Sequence, residues 1–179
     1  SRPSPAPARR EEDSSDEHRR RVEAGNNIIQ GDNLLEAGDA VTARSCYQKA
    51  LEFVPGFTPA LLSMGKAELG AGNIEDGIRF FSEAIAADPD MAELRQQRAQ
   101  ALMSLKKYDE AIKDYTEVIR ISAISAGKQL ADAYYLRGWA YFKSEELDKA
   151  IADLARAIQI RPTSASYFNR RGWIYFKGK

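Results

Sequence analysis

The sequence predicts an all-α fold, a solenoid of stacked antiparallel helix pairs, on three observations. The first is a recurring spacing. A small residue, a bulky one, a second small one and a proline stand at Ala43, Tyr47, Ala50 and Pro55, and again 34 residues later at Gly77, Phe81, Ala84 and Pro89. The pattern returns as Ala111, Tyr115, Val118 and Ala123, and after five extra residues as Ala150, Leu154, Ala157 and Pro162. The second is a set in step with it: Gly31, Gly65, Ala99, Gly138 and Gly172, separated by 34, 34, 39 and 34 residues. The third is periodicity, since apolar residues recur at three- and four-residue steps and no segment alternates like a strand. Self-similarity at such a period marks a stacked array. One helix pair cannot bury its apolar face alone, so stability has to come from stacked neighbours.

The elements follow in order. Residues 1–20 form a Pro-rich and then acidic tail, expected to be disordered, with His18 through Glu23 able to extend the first helix. Ser14 and Ser15 lie in an acidic context that kinases read. The repeat domain spans 21–179, with repeats at 24–57, 58–91, 92–125 and 131–164 and a partial repeat or capping helix at 165–179. The first helix of each pair carries the glycine or alanine of the second set. A helix-interior glycine costs roughly 0.5–1 kcal/mol against alanine, so four in register point to a close helix approach. Their expected partners are Ala43, Gly77, Ala111 and Ala150. The second helices carry apolar stripes: Ile74, Ile78, Phe81 and Ile85; Tyr108, Ile112, Tyr115 and Ile119; Leu147, Ile151, Leu154 and Ile158. Repeat one is weaker, with Arg44 in its stripe. Gly38-Asp39, Gly72-Asn73 and Asp88-Pro89-Asp90 mark turns. The five-residue insert, around Ser122 to Leu130, is expected either to lengthen a helix or loop or to bend the stack.

These offsets resemble the tetratricopeptide repeat family over most of the chain. Asn27 and Arg95 replace the motif's bulky first residue, Arg98, Arg137 and Arg171 stand where leucine is expected, and Ala123 replaces the proline. The resemblance implies a right-handed superhelix with a concave groove lined by the first helices. Its inward positions are Ile28, Asp32 and Leu35 in repeat one, Leu62, Lys66 and Leu69 in repeat two, and Gln96, Gln100 and Met103 in repeat three. Repeat four supplies Tyr135, Trp139 and Phe142, and the fifth first-helix supplies Asn169, Trp173 and Phe176. The implied function is a non-catalytic protein-protein interaction scaffold or adaptor that takes a peptide or helical segment in this groove. The alternative is a targeting, regulatory or self-association module of a larger enzyme or assembly whose C-terminal part is missing.

Residue chemistry points the same way. The single histidine, His18, lies in the tail, and the single cysteine, Cys46, has no histidine partner in the repeats, so nucleophilic catalysis is not expected. Gly127-Lys128-Gln129 lacks the first glycine and the terminal Ser or Thr of a phosphate loop. No Cys/His cluster has metal-ligand spacing, so neither metal nor cofactor is expected. No basic stripe suits nucleic acid, no apolar run reaches the ~18 residues of a membrane span, and no signal peptide opens the chain. A cytoplasmic setting is the expectation.

The partner expected is a protein or peptide. Aromatic residues gather in the C-terminal half of the implied groove, where they give large contact area at small entropy cost. Trp139 and Trp173 are also placed to stack between adjacent first helices, and Arg137, Arg170 and Arg171 are placed to meet acidic groups of a partner, with a position between helices as the alternative for Arg137 and Arg171. Charge is asymmetric: repeat two holds two cations against six carboxylates, while 165–179 holds four cations and no carboxylate. Such polarity orients a partner of opposite polarity. Cochaperone repeats that this fold resembles grip the C-terminal carboxylate of heat-shock chaperones with Lys, Asn and Arg at set positions. No frame of this chain supplies them, and Glu93 and Asp132 stand where cations are needed, so such tails are not expected partners. Tyr167, Phe168, Trp173, Ile174, Tyr175 and Phe176 crowd the last helix without a following helix, which makes it a candidate surface for self-association.

Overall fold

The computed structural model describes residues 8–124 and 127–177, with side chains from residue 14 onward. Among the described residues there are nine helices and no strand: α1 (Ala8–Glu36), α2 (Ala40–Phe53), α3 (Thr58–Gly70), α4 (Ile74–Ala87), α5 (Ala92–Ser104), α6 (Tyr108–Ser122), α7 (Lys128–Lys143), α8 (Leu147–Ile160) and α9 (Ala165–Lys177). Each odd helix packs on the even helix after it, each even helix packs on the next odd one, and α1·α3 and α3·α5 touch as side-by-side first helices. The stack is an all-α helical-repeat solenoid, and its core is a series of small apolar clusters strung along it.

The in-register glycines mark close helix approaches, as expected, but at Gly31 and Gly65 the nearest residue is the bulky one of the second helix and not Ala43 or Gly77. A Cβ on Gly31 would fall 2.4 Å from Cε1 of Tyr47, and one on Gly65 2.5 Å from Cε1 of Phe81. Both rings are wholly buried. At Gly138 the neighbours are the Ala150 carbonyl at 3.1 Å and Leu154 at 3.3 Å. Glycine here lets the bulky residue of the second helix lie against the backbone of the first.

The turns inside the pairs share one backbone conformation. Gly38 and Gly72 have φ of 88° and 85°, and the equivalent residues Lys106 and Glu145 have 60° and 67°. Glycine enters this left-handed region without steric penalty, whereas lysine and glutamate are held there by the flanking helices. After the turn, Asp39 caps α2 by accepting the Thr42 amide at 3.0 Å, and hydrogen bonding from the Thr42 side chain and then from this amide lowers its carboxyl pKa.

One expectation changes. Residues 8–20, assigned to the tail, are helical, because α1 already runs from Ala8; residues 1–7 lie outside the described residues. From 14 to 23 this helix is exposed and laced by Arg19–Asp16 and Arg21–Glu17 ion pairs at helical spacing. The insert is partly taken up as helix, since α7 starts at Lys128, three residues ahead of the repeat boundary at 131. Ser125 and Ala126, in the expected bend, lie outside the described residues.

Three tyrosines tie the stack together and give it a pH limit. Tyr47 donates to Asp32 at 2.8 Å, Tyr167 donates to Asp132, and Tyr115 is buried beside Asp114. Burial, then the neighbouring carboxylate, pushes the Tyr167 hydroxyl up to about 12 and raises Tyr47 and Tyr115 as well. The fold therefore favours neutral phenols. That stabilisation is complete below the unfolded value of about 10 and is lost as pH rises through the folded values. The melting temperature followed by circular dichroism should fall steeply between pH 10 and 12. An unchanged melt at pH 11.5 would contradict this.

Candidate functional site

The first helices bring part of the expected groove together. At the N-terminal end, Asp32, Leu35, Ser63 and Lys66 line one shallow cleft with Glu36 and Tyr47. Asp32 accepts from Tyr47 and, at 3.4 Å, from Ser63, while Lys66 pairs with Glu93 at 2.7 Å. Ile28 and Leu35 are half-buried packing residues around Tyr47 and Met64. Leu62 departs from an open groove position: it is buried among Leu61, Phe81, Ile85 and Leu94, because α5 closes over it. Leu69 likewise packs on that cluster, against Gly77. In the middle, Gln96 is half-buried, Gln100 is exposed, and Met103 packs against Leu102 and Tyr115.

The C-terminal end is a continuous aromatic surface. Trp139 stacks on Phe142 with centroids 5.3 Å apart and lies 5.7 Å from Trp173, whose ring meets Phe142 edge-on at 5.0 Å. Tyr135 lies 5.1 Å from Tyr167. The two tryptophans therefore stack between adjacent first helices and still leave Trp173 40% exposed. Asn169 and Phe176 are exposed on the same helix, outside these ring contacts.

The cations on this surface are only partly evident from sequence. Arg170 lies 4.0 Å over the Trp139 ring and donates to the Tyr135 hydroxyl from Nε and Nη2, at 3.2 and 3.0 Å. Lys143 lies 4.8 Å over the same tryptophan. Neither makes an ion pair among the described residues, so aromatic faces hold two cations whose charge stays open to an incoming anion. Lys143 has a sequence signal: it follows Trp139 by one helical turn.

Arg137 takes the second of its two expected places, between helices. Its guanidinium forks onto Asp153, Nε to Oδ2 at 2.7 Å and Nη2 to Oδ1 at 2.8 Å, and Nη1 reaches Thr116 of the preceding repeat at 3.1 Å. Arg98 repeats the arrangement on Asp114, at 2.8 and 2.6 Å, with Ser82 at 3.0 Å. Each arginine thus joins three consecutive helices. The charge-assisted bond to the carboxylate raises both guanidinium pKa values further.

An all-α stack with aromatic and charged side chains along its first helices has the form of an interaction array. Models of the tetratricopeptide repeat match residues 62–126 and 131–164, together more than half of the chain, and the chain belongs to that family. Its fold is that of a protein-interaction scaffold. Among curated relatives, the DnaJ homolog subfamily C member 7 homolog of Schizosaccharomyces pombe is 26% identical, covering 78% of this chain and 32% of the relative. The chain spans a third or less of the length of the curated relatives it matches. Among solved structures, MamA from Desulfovibrio magneticus RS-1 has a TM-score of 0.76 at 22% identity, covering 87% of this chain and 85% of that one. The first repeat domain of Spaghetti (RPAP3), solved with the HSP90 peptide SRMEEVD, has a TM-score of 0.60 at 24% identity, covering 67% and 91%. No described helix is long and apolar enough to cross a membrane.

Proposed function

We propose that this scaffold binds a peptide or short helical segment of a partner protein along its first helices, with the Tyr135–Trp139–Phe142–Trp173 surface as the main anchor. The observation that carries this reading is the pair of cations, Arg170 and Lys143, held over Trp139 without carboxylate partners. Large aromatic faces beside open positive charge suit a segment that carries an apolar side chain next to an acidic one. Gln96 and Gln100 supply adaptable amide contacts further along, and Asp32, Lys66 and Asn169 set polarity at the ends.

Heat-shock chaperone tails are not the expected ligand. Glu93 engages Lys66, and Asp132 accepts from Tyr167, so carboxylates stand where the tail's own carboxylates would lie. The test uses peptides selected on the immobilised protein from a random 12-mer display library, then titrated calorimetrically against the parent and a Tyr135→Ala, Trp139→Ala variant. Affinity should fall at least about tenfold in the variant, in line with the loss of two aromatic anchors, while its melting temperature shows that the fold persists. SRMEEVD should not bind. Equal affinity for both proteins would remove this surface as the anchor, and binding of SRMEEVD would reverse the ligand assignment.

A further inference from the structure

The charges along the first helices are sorted by end. The last residues of α1, α3, α5, α7 and α9 form one exposed row, Glu36, Gly70, Ser104, Lys143 and Lys177, with the spacing of the repeats. Its charge passes from negative through neutral to positive. Both poles are open. At the α1 end, Asp32 accepts only from the neutral donors Tyr47 and Ser63. Glu36, in the same cleft, has no cation partner among the described residues, although a carboxylate at a helix C-terminus is disfavoured by the helix dipole. Lys66, the cation of that cleft, is taken by Glu93. At the α7 end, Lys143 and Arg170 lie over Trp139, and no described carboxylate pairs with either. Arg170 faces back onto Tyr135, so this pole sits at the seam of α7 and α9 inside the chain. Between the poles stand the uncharged amides of Gln96 and Gln100.

We propose that the segment bound along the first helices is extended and bipolar. A lysine or arginine lies over Asp32 and Glu36, and at the other end a large apolar residue beside an acidic one lies over Trp139, Lys143 and Arg170. This assignment rests on peptide binding along the first helices and adds the ligand's charge pattern. The ligand cation meets two carboxylates that the fold leaves unpaired and offsets the unfavourable place of Glu36. The ligand carboxylate meets two unpaired cations. A uniformly acidic segment would instead be repelled at the α1 end. The glutamines suit an extended backbone, because each amide both donates and accepts. Helices α1, α3, α5 and α7 follow one another side by side. Three steps of ~8–10 Å put the poles about 24–30 Å apart, which an extended chain covers in about seven to nine residues at ~3.3 Å each.

The probe is the tightest peptide selected on the intact chain from a random 12-mer display library, resynthesised with fluorescein and titrated by anisotropy. It should carry Lys or Arg about seven to nine residues from an adjacent apolar and acidic pair. Changing that Lys or Arg to Glu should weaken binding at least about tenfold, and an Asp32→Asn, Glu36→Lys chain should recover the loss, since reversal on both sides restores the attraction. Asparagine keeps an acceptor for the Tyr47 hydroxyl, and Glu36 has no partner to lose, so the melting curve should match the parent's. Glu36→Lys alone should recover part of the loss. A selected peptide without the basic pole, or no recovery in either variant, would overturn the bipolar assignment, while loss of affinity in the Tyr135→Ala, Trp139→Ala variant would still uphold the aromatic anchor. A library that yields no binder, or a peptide indifferent to that aromatic variant, would overturn both. A chain that self-associates in light scattering and is dispersed by Asp32→Asn, Glu36→Lys would also overturn the assignment, because its occupant would then be a second copy.

Discussion

Asp114→Ala should destabilise the chain by about 3 kcal/mol, the usual penalty for leaving one member of a buried ion pair without its partner. Asp114 is 3% exposed, and its carboxylate takes both forked bonds of Arg98. Removing it strands a guanidinium between α4, α5 and α6 with only Ser82 as a partner. Repeat two shows what replaces the pair. At the positions equivalent to Arg98 and Asp114 it has Met64 and Phe80, which pack in one apolar cluster. The double change Arg98→Met with Asp114→Phe should therefore stay within about 1 kcal/mol of the parent, because a well-packed apolar pair often equals a buried ion pair. Urea unfolding of both variants checks this. A double variant as unstable as the single one would show that the ion pair has a role that apolar packing cannot fill.

The second large effect concerns the cradle. Gly65→Ala should cost about 1–3 kcal/mol through overpacking, although alanine is the better helix former by about 1 kcal/mol. The added Cβ would lie 2.5 Å from a ring that is fully buried and has nowhere to move. The same change at Gly172 should stabilise α9 slightly, since nothing stands within 4 Å of that position. Opposite signs for one substitution at two equivalent sites separate packing from propensity. Thermal melts of the two single variants give the signs directly, and the same sign at both would refute the cradle account. Ala99 holds the equivalent place opposite Tyr115, in a pair built with its Cβ included.

Much of this was legible before any coordinates, for physical reasons. Glycine or alanine recurs on the first helices because close helix approach needs it, so a tight contact at Gly31 and Gly65 could be read from spacing; that its nearest atoms belong to the Tyr47 and Phe81 rings, and not to Ala43 and Gly77, could not. The turn at Lys106 and Glu145 could not, because the left-handed conformation is imposed there by the flanking helices instead of being signalled by glycine. The Arg–Asp forks were half visible. Arg98 and Arg137 stood out as departures from a leucine position, but only the matched recurrence of Asp114 and Asp153 at the same 39-residue step would have named their partners. The start of α1 is harder to read, because proline at 3, 5 and 7 suggests a longer tail, while helical-spaced pairs such as Arg19–Asp16 and Arg21–Glu17 favour helix. Among the groove positions, the aromatic group at Tyr135, Trp139, Phe142 and Trp173 comes together in space. Leu62 does not join an open surface, because a motif position cannot report how closely the next first helix folds over it.

The alternation of pair chemistry along the stack also bears on misassembly. A chain of identical repeats has many near-degenerate helix pairings and invites kinetic traps. Here an α5 that took the Phe80 face of α4 in place of α6 as its pair partner would press the Arg98 guanidinium against Phe80, and an α3 paired with α6 would leave Asp114 against Met64. Only α5 with α8, or α7 with α6, would exchange partners without stranding a charge. Off-register folding intermediates should therefore concentrate in the third and fourth repeats, whose pair chemistry is the same.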